Sequence, residues 1–97
     1  MAFVVAATWR AKRGRGDRVA EILAQMIEPS RRESGCLGYW AHRSVDDDET
    51  FFLYEVYKDR QSYDAHSGTA HFKRHVLGEA AEVLDARERS FYVRMED

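Results

Sequence analysis

Three short runs limit what this chain can fold into. "FVVAATWR" (3–10), "CLGYWAHRS" (36–44) and "FFLYEVYK" (51–58) are rich in β-branched and aromatic residues. Such side chains suit a pleated, well-packed surface, so the runs read as strands. A sheet with one wet face alternates apolar and polar residues. These runs are instead apolar at most positions, so the sheet they build needs cover on both faces. The simplest arrangement places helices on one face and the sheet of a second copy on the other.

The segments between the strands supply the helices. Gly14 and Gly16 break the first strand, and Asp17 is placed to cap a helix. Val19, Ile22, Leu23, Met26 and Ile27 then follow the i, i+3, i+4, i+7, i+8 spacing of one apolar stripe. Pro29 is expected to interrupt this helix, which ends near Gly35. The acidic turn "VDDDET" joins the second and third strands as an antiparallel hairpin. Asp59 can cap a short helix over "RQSYDAH", and "SGT" interrupts it. Thr69 can cap a longer helix over "AHFKRHVLGEAAEVLD", in which Phe72, Val76, Ala80, Val83 and Leu84 share a face. "RERSFYVRM" (87–95) closes as a strand. The order is βαββαβ: an α+β, ferredoxin-like chain with an antiparallel sheet and helices on one face. The 97 residues, 44% hydrophobic and 33% charged, suit one domain over 1–97.

Composition narrows the function. A formal net charge of −2 gives no global attraction to nucleic acid or to an anionic membrane. The basic stretch "RAKRGRGDR" lacks interleaved aromatics and reads as a solvated loop. The lone cysteine, Cys36, excludes an internal disulfide and fits a reducing compartment. The apolar N-terminal stretch is too short for a membrane span, and a cytoplasmic location is expected. No GxGxxG or Walker loop suggests a nucleotide or flavin, and no HExxH suggests zinc, so neither cofactor nor metal is expected. His71 and His75, four apart, can share a helix face, but no third ligand for them is evident in the sequence.

The middle of the chain carries a family pattern. Glu33, Gly35 and Cys36 form a Glu-x-Gly-Cys turn, Tyr39 follows on a strand, and Phe51 and Glu55 lie on the next. His66, Thr69, His71 and Phe72 then complete a His-x-x-Ser/Thr-x-His-Phe ending. About 40 residues thus resemble the antibiotic biosynthesis monooxygenase domain family, which includes the quinol monooxygenases. The resemblance implies a homodimeric α+β barrel with two sheets face to face. It also implies cofactor-independent oxidation of a small quinol, polyphenol or polyketide-like aromatic, which itself supplies the electrons to dioxygen. The haem-degrading relatives use an asparagine on the first strand, but this chain contains no asparagine. His66 stands near where their helix tryptophan would fall.

Chemistry of that kind needs a base, an aromatic wall and a partner for negative charge. His66 is the first candidate base, with helix pinning as its structural alternative. Glu55 is the second, with a buried hydrogen bond or ion pair as its alternative. Trp40, Tyr57, Tyr63 and Phe72 are candidates for the wall, or simply core. His71 is a candidate substrate contact, and Arg43 or Arg94 could pair an oxyanion. His75 reads as a solvated helix residue, and the three histidines of residues 66–75 are not expected to cluster. The competing function is a non-catalytic or non-oxygenase dimeric barrel that binds a small molecule.

Overall fold

The computed structural model describes residues 1–96; Asp97, the last residue of the expected domain, lies outside the described residues. The elements run β1 (Phe3–Ala11), α1 (Gly16–Arg31), β2 (Cys36–Arg43), β3 (Thr50–Tyr57), α2 (Arg60–Ser67), a third helix α3 (Phe72–Glu79) and β4 (Leu84–Val93). The four strands form one antiparallel sheet in the order β2-β3-β1-β4. This is the expected ferredoxin-like α+β arrangement, with the helices on one face.

Strand register sets the rows on that face. Val5 lies opposite Glu55 and Phe91, and Glu55 lies opposite Tyr39. Ala7 lies opposite Leu53 and Arg89, and Trp9 opposite Phe51 and Arg87. Because side chains alternate along a strand, these rows all point toward the helices. The predicted stripe of α1 meets them: Val19, Ile22, Leu23 and Met26 are fully buried. Each such side chain contributes about 1.5–3 kcal/mol of burial energy. Ile27, the fifth member, is only partly buried against the core.

The helix ends differ from expectation in physical detail. Arg15, not Asp17, occupies the cap position of α1, and no side chain caps it. Asp17 sits in the first turn and bonds Arg43 instead. Pro29 does not interrupt the helix, which runs on to Arg31. Its missing N–H would have bonded the carbonyl of Gln25, an exposed residue whose oxygen water can satisfy. Asp59 caps α2 as expected, its Oδ1 accepting the Ser62 N–H at 2.8 Å. Gly35 lets the start of β2 approach α2 closely, since a Cβ there would collide with Ser62.

The last third departs most. Thr69 Oγ1 accepts the Phe72 N–H at 3.2 Å, as a cap should. The segment then winds as a π-helix over Phe72–Glu79, followed by a 3₁₀ turn over Ala80–Glu82. Leu84, expected on the helix, instead begins β4 by pairing with Ala11 beside a register shift. The strand therefore starts three residues earlier than the sequence pattern suggests, and it ends at Val93.

Among the described residues, no helix covers the opposite face of the sheet. Val4 and Val56 are buried there, while Trp40, Phe52 and Tyr92 are exposed, Trp40 stacking on Tyr54 at 5.6 Å. Among the described residues no helix is long and apolar enough to cross a membrane.

Candidate active site

The short helix α2 ends by placing His66 against the sheet. Its spacing from Tyr63 turns both side chains inward, and His66 is only 2% exposed. Five rings surround the imidazole: Phe72 at 5.2 Å, Tyr57 at 5.5 Å, Tyr39 at 5.8 Å, His71 at 6.1 Å and Tyr63 at 6.4 Å. A ring so enclosed has few rotamers open to it. Its polar atoms must find partners there, because an unpaired buried nitrogen costs about 1–3 kcal/mol.

Those partners are carboxylates. His66 Nδ1–H donates to Glu33 Oε2 at 2.8 Å, and His71 Nε2–H donates to the same oxygen at 2.6 Å. An ionised carboxylate can only accept, so Glu33 holds a proton on His66 Nδ1, and when the ring is neutral Nε2 carries the lone pair. That nitrogen lies 3.8 Å from Glu55 Oε1. Glu55 in turn accepts the Tyr57 hydroxyl at 2.6 Å. Burial raises the Glu55 carboxyl above its usual range, against the lowering effects of the Tyr57 hydrogen bond and of His66. Burial, reinforced by the Glu55 charge, pushes the Tyr57 and Tyr39 hydroxyls well up, so both stay protonated.

His66 and Glu55 border a cavity between helices and sheet with about 20 Å³ of free space, enough for about one water. Tyr39, Tyr63 and Phe72 line it, and Arg87 and Arg89 stand at its β4 side. Arg89 Nη1 donates to the Tyr63 hydroxyl at 2.9 Å. The Arg87 guanidinium lies over the Phe72 ring at 5.5 Å. Desolvation, and then repulsion from Arg89, lower the Arg87 pKa. Roomier hollows exist, such as about 190 Å³ between α1 and the β2–β3 strands. That one is an open surface depression lined by none of these groups, whereas others include Arg87 or Tyr39 in their walls.

The sequence candidates divide accordingly. His66, Glu55, Tyr57, Tyr63, Phe72 and His71 come together. Trp40 does not, because its even position on β2 points it to the helix-free face. Arg43 lies at the far end of β2, bonded to Asp17 and to the Asp48 carbonyl. Arg94 donates to the Tyr54 hydroxyl and so stays away from the cavity. His75 is buried, not solvated. His66 and His71 do converge, through a glutamate 33 residues before the first of them. Sequence reading gave no role to Glu33, Arg87 or Arg89. Glu33 had a signal in the Glu-x-Gly-Cys turn. The arginines had only a strand alternation that points 87 and 89 to one face. One ligand atom each from Glu33, His66 and His71 lies within 4.8 Å of the others, a set able to hold a metal ion.

Comparison with known proteins finds relatives of the same fold. The chain superposes on PA3566 from Pseudomonas aeruginosa with a TM-score of 0.91 and 28% identity, over 98% of this chain and 95% of that one. Uncharacterized protein sll1783 of Synechocystis is 32% identical over 73 residues, 75% of this chain and 50% of its own length. Rv0793 of Mycobacterium tuberculosis, provisionally named a monooxygenase, is 39% identical over 51 residues, 53% of this chain and 50% of its own. The matched segments thus span about half the length of these curated relatives. Residues 2–76, which hold Glu33, Glu55, His66 and His71 together, match the family model described as antibiotic biosynthesis monooxygenase, and the chain belongs to that family.

Proposed function

We propose that this protein is a cofactor-independent monooxygenase that oxidises a small electron-rich phenol or quinol with dioxygen. The observation that carries the reading is the buried His66, a proton held on Nδ1 by Glu33 and its Nε2 on the side of Glu55, which lines the same cavity. A neutral imidazole so oriented can take a phenolic proton. The phenolate is a far better electron donor to dioxygen than the phenol. One oxygen atom enters the substrate and the other leaves as water, with all four electrons drawn from the substrate. Arg87 and Arg89 bring positive charge to the cavity's β4 side, where the phenolate would form. Tyr63 and Phe72 offer flat apolar surface to a ring.

The cavity is far below the roughly 300–1,000 Å³ usual for ligand sites. Substrate entry therefore requires opening, and the long side chains of Arg87 and Arg89 are the parts able to swing. The assignment also includes a homodimer through the helix-free face, where exposed Trp40, Phe52 and Tyr92 await cover. Sedimentation showing only monomer at micromolar concentration contradicts the dimer. With one cysteine, Cys36, the reading also includes work in the reducing cytoplasm.

The test is oxygen consumption with a panel of quinols and polyphenols. The expected result is uptake of one dioxygen per substrate oxidised, without added cofactor. No uptake above the uncatalysed rate across the panel favours a small-molecule-binding barrel instead.

A further inference from the structure

We propose that Glu33, His66 and His71 form a binding site for a divalent first-row transition ion, best probed with zinc. Both histidines already direct a ring nitrogen at the same carboxylate oxygen, at 2.8 and 2.6 Å. Two imidazoles and one carboxylate are the donor set of zinc sites that keep an open position, and of iron(II) sites with a facial triad. Calcium or magnesium would need more oxygen donors than the three groups supply.

Three features favour binding over a mere hydrogen-bonded trio. The donors come from three places in the fold: the turn before β2, the end of α2 and the residue before α3. Anchoring of that kind reduces the ordering cost of assembling a site. His66 is held rigidly, whereas the side chains of Glu33 and His71 are 14% and 19% exposed, which leaves a path for an ion and its waters. An outer partner also stands nearby. An ion on Nδ1 requires the ring proton to sit on Nε2, and Glu55 Oε1, 3.8 Å from that nitrogen, is an acceptor that must close by about an ångström to take its hydrogen bond. Metal-bound histidines almost always donate their other N–H in this way, often to a carboxylate. Ligand bonds of about 2.0–2.1 Å put tetrahedral donors about 3.3 Å apart, so the two nitrogen–oxygen separations must widen by roughly 0.5–0.8 Å and the two nitrogens, now within 4.8 Å, must settle at the same spacing, through movement of the Glu33 and His71 side chains.

Binding itself does not depend on the oxygenase reading. If that reading holds, an ion on His66 also stops turnover, because Nε2 becomes a donor and can no longer accept a phenolic proton.

The experiment is calorimetric titration of the untagged protein with zinc, alongside visible spectroscopy with cobalt(II). The expected result is one ion per chain, with ligand-field bands of a four- or five-coordinate cobalt. His71→Ala and Glu33→Gln, checked as folded by circular dichroism, should each weaken zinc by at least the roughly 10–100-fold that loss of an outer-shell partner costs. His75→Ala should bind as the parent does. Absence of saturable binding at one ion per chain overturns the proposal, as does parental affinity in either His71→Ala or Glu33→Gln. Failed zinc binding with normal oxygen uptake leaves the oxygenase reading standing.

Discussion

His66 and His75 are both buried, and each hydrogen-bonds a glutamate, yet their surroundings differ in kind. His75 Nδ1 meets Glu79 Oε1 at 2.6 Å, one turn along its own helical segment. Glu79 is also approached by Arg18 at 3.8 Å and Arg74 at 3.9 Å. That is a clamp in which one carboxylate serves its own helix and, through Arg18, ties it to α1. His66 reaches a glutamate from a distant turn, and its other nitrogen lies 3.8 Å from a second carboxylate that, like His66 itself, lines a cavity. Burial and a carboxylate partner therefore do not separate a structural histidine from a chemical one. What the second ring nitrogen faces does.

The largest effect expected from this contrast is on turnover. His66→Ala should lower oxidation of a quinol by about 10²–10⁴-fold, the usual worth of a general base. Oxygen consumption measured on protein of unchanged melting profile checks it. Full turnover in the variant removes the base assignment, and an unfolded variant favours helix pinning. His75→Ala should do the reverse. It should cost about 1–3 kcal/mol of stability, read by denaturant titration, while turnover per folded molecule stays within about twofold. A tenfold fall in that turnover would erase the distinction between the two histidines.

The smallest effect is on acid stability. Hydrogen bonding from His75 holds the Glu79 carboxyl below its ordinary 4.5. A depressed carboxyl contributes stability that is present above its unfolded value and lost as pH falls through its folded value. Glu79→Gln should therefore be less stable than the parent near neutrality and should converge with it as pH falls from 4.5 through the depressed folded value. Melting temperatures across that range test the sign, and a gap that grows in acid contradicts it.

Much of the fold was legible because it rests on local patterns. The α1 stripe at Val19, Ile22, Leu23 and Met26, the Asp59 cap and the three apolar strands each follow from spacing alone. The end of α3 was not legible: a π-wound helix shares its early apolar positions with an α-helix, and the onset of β4 at Leu84 is set by pairing with Ala11. The same divide runs through the site. His66 was readable from its place before the Ser67-Gly68-Thr69 break. Trp40 was misplaced because aromatic character does not tell which face of a two-sided sheet a residue occupies. Glu33 went unassigned because its partners lie 33 and 38 residues away, and no local pattern encodes such a contact.

The central claim is that His66 takes the phenolic proton, and the ionisation state of a bound phenol tests it most directly. A chromophoric nitrophenol or nitrocatechol, resistant to oxidation, can be bound at a pH about one unit below its solution pKa. Absorbance then reports whether it is phenol or phenolate. The account predicts a phenolate spectrum with the parent protein and with His75→Ala, and a neutral phenol spectrum with His66→Ala. A bound phenol that stays neutral on the parent, or that ionises equally on His66→Ala, contradicts it.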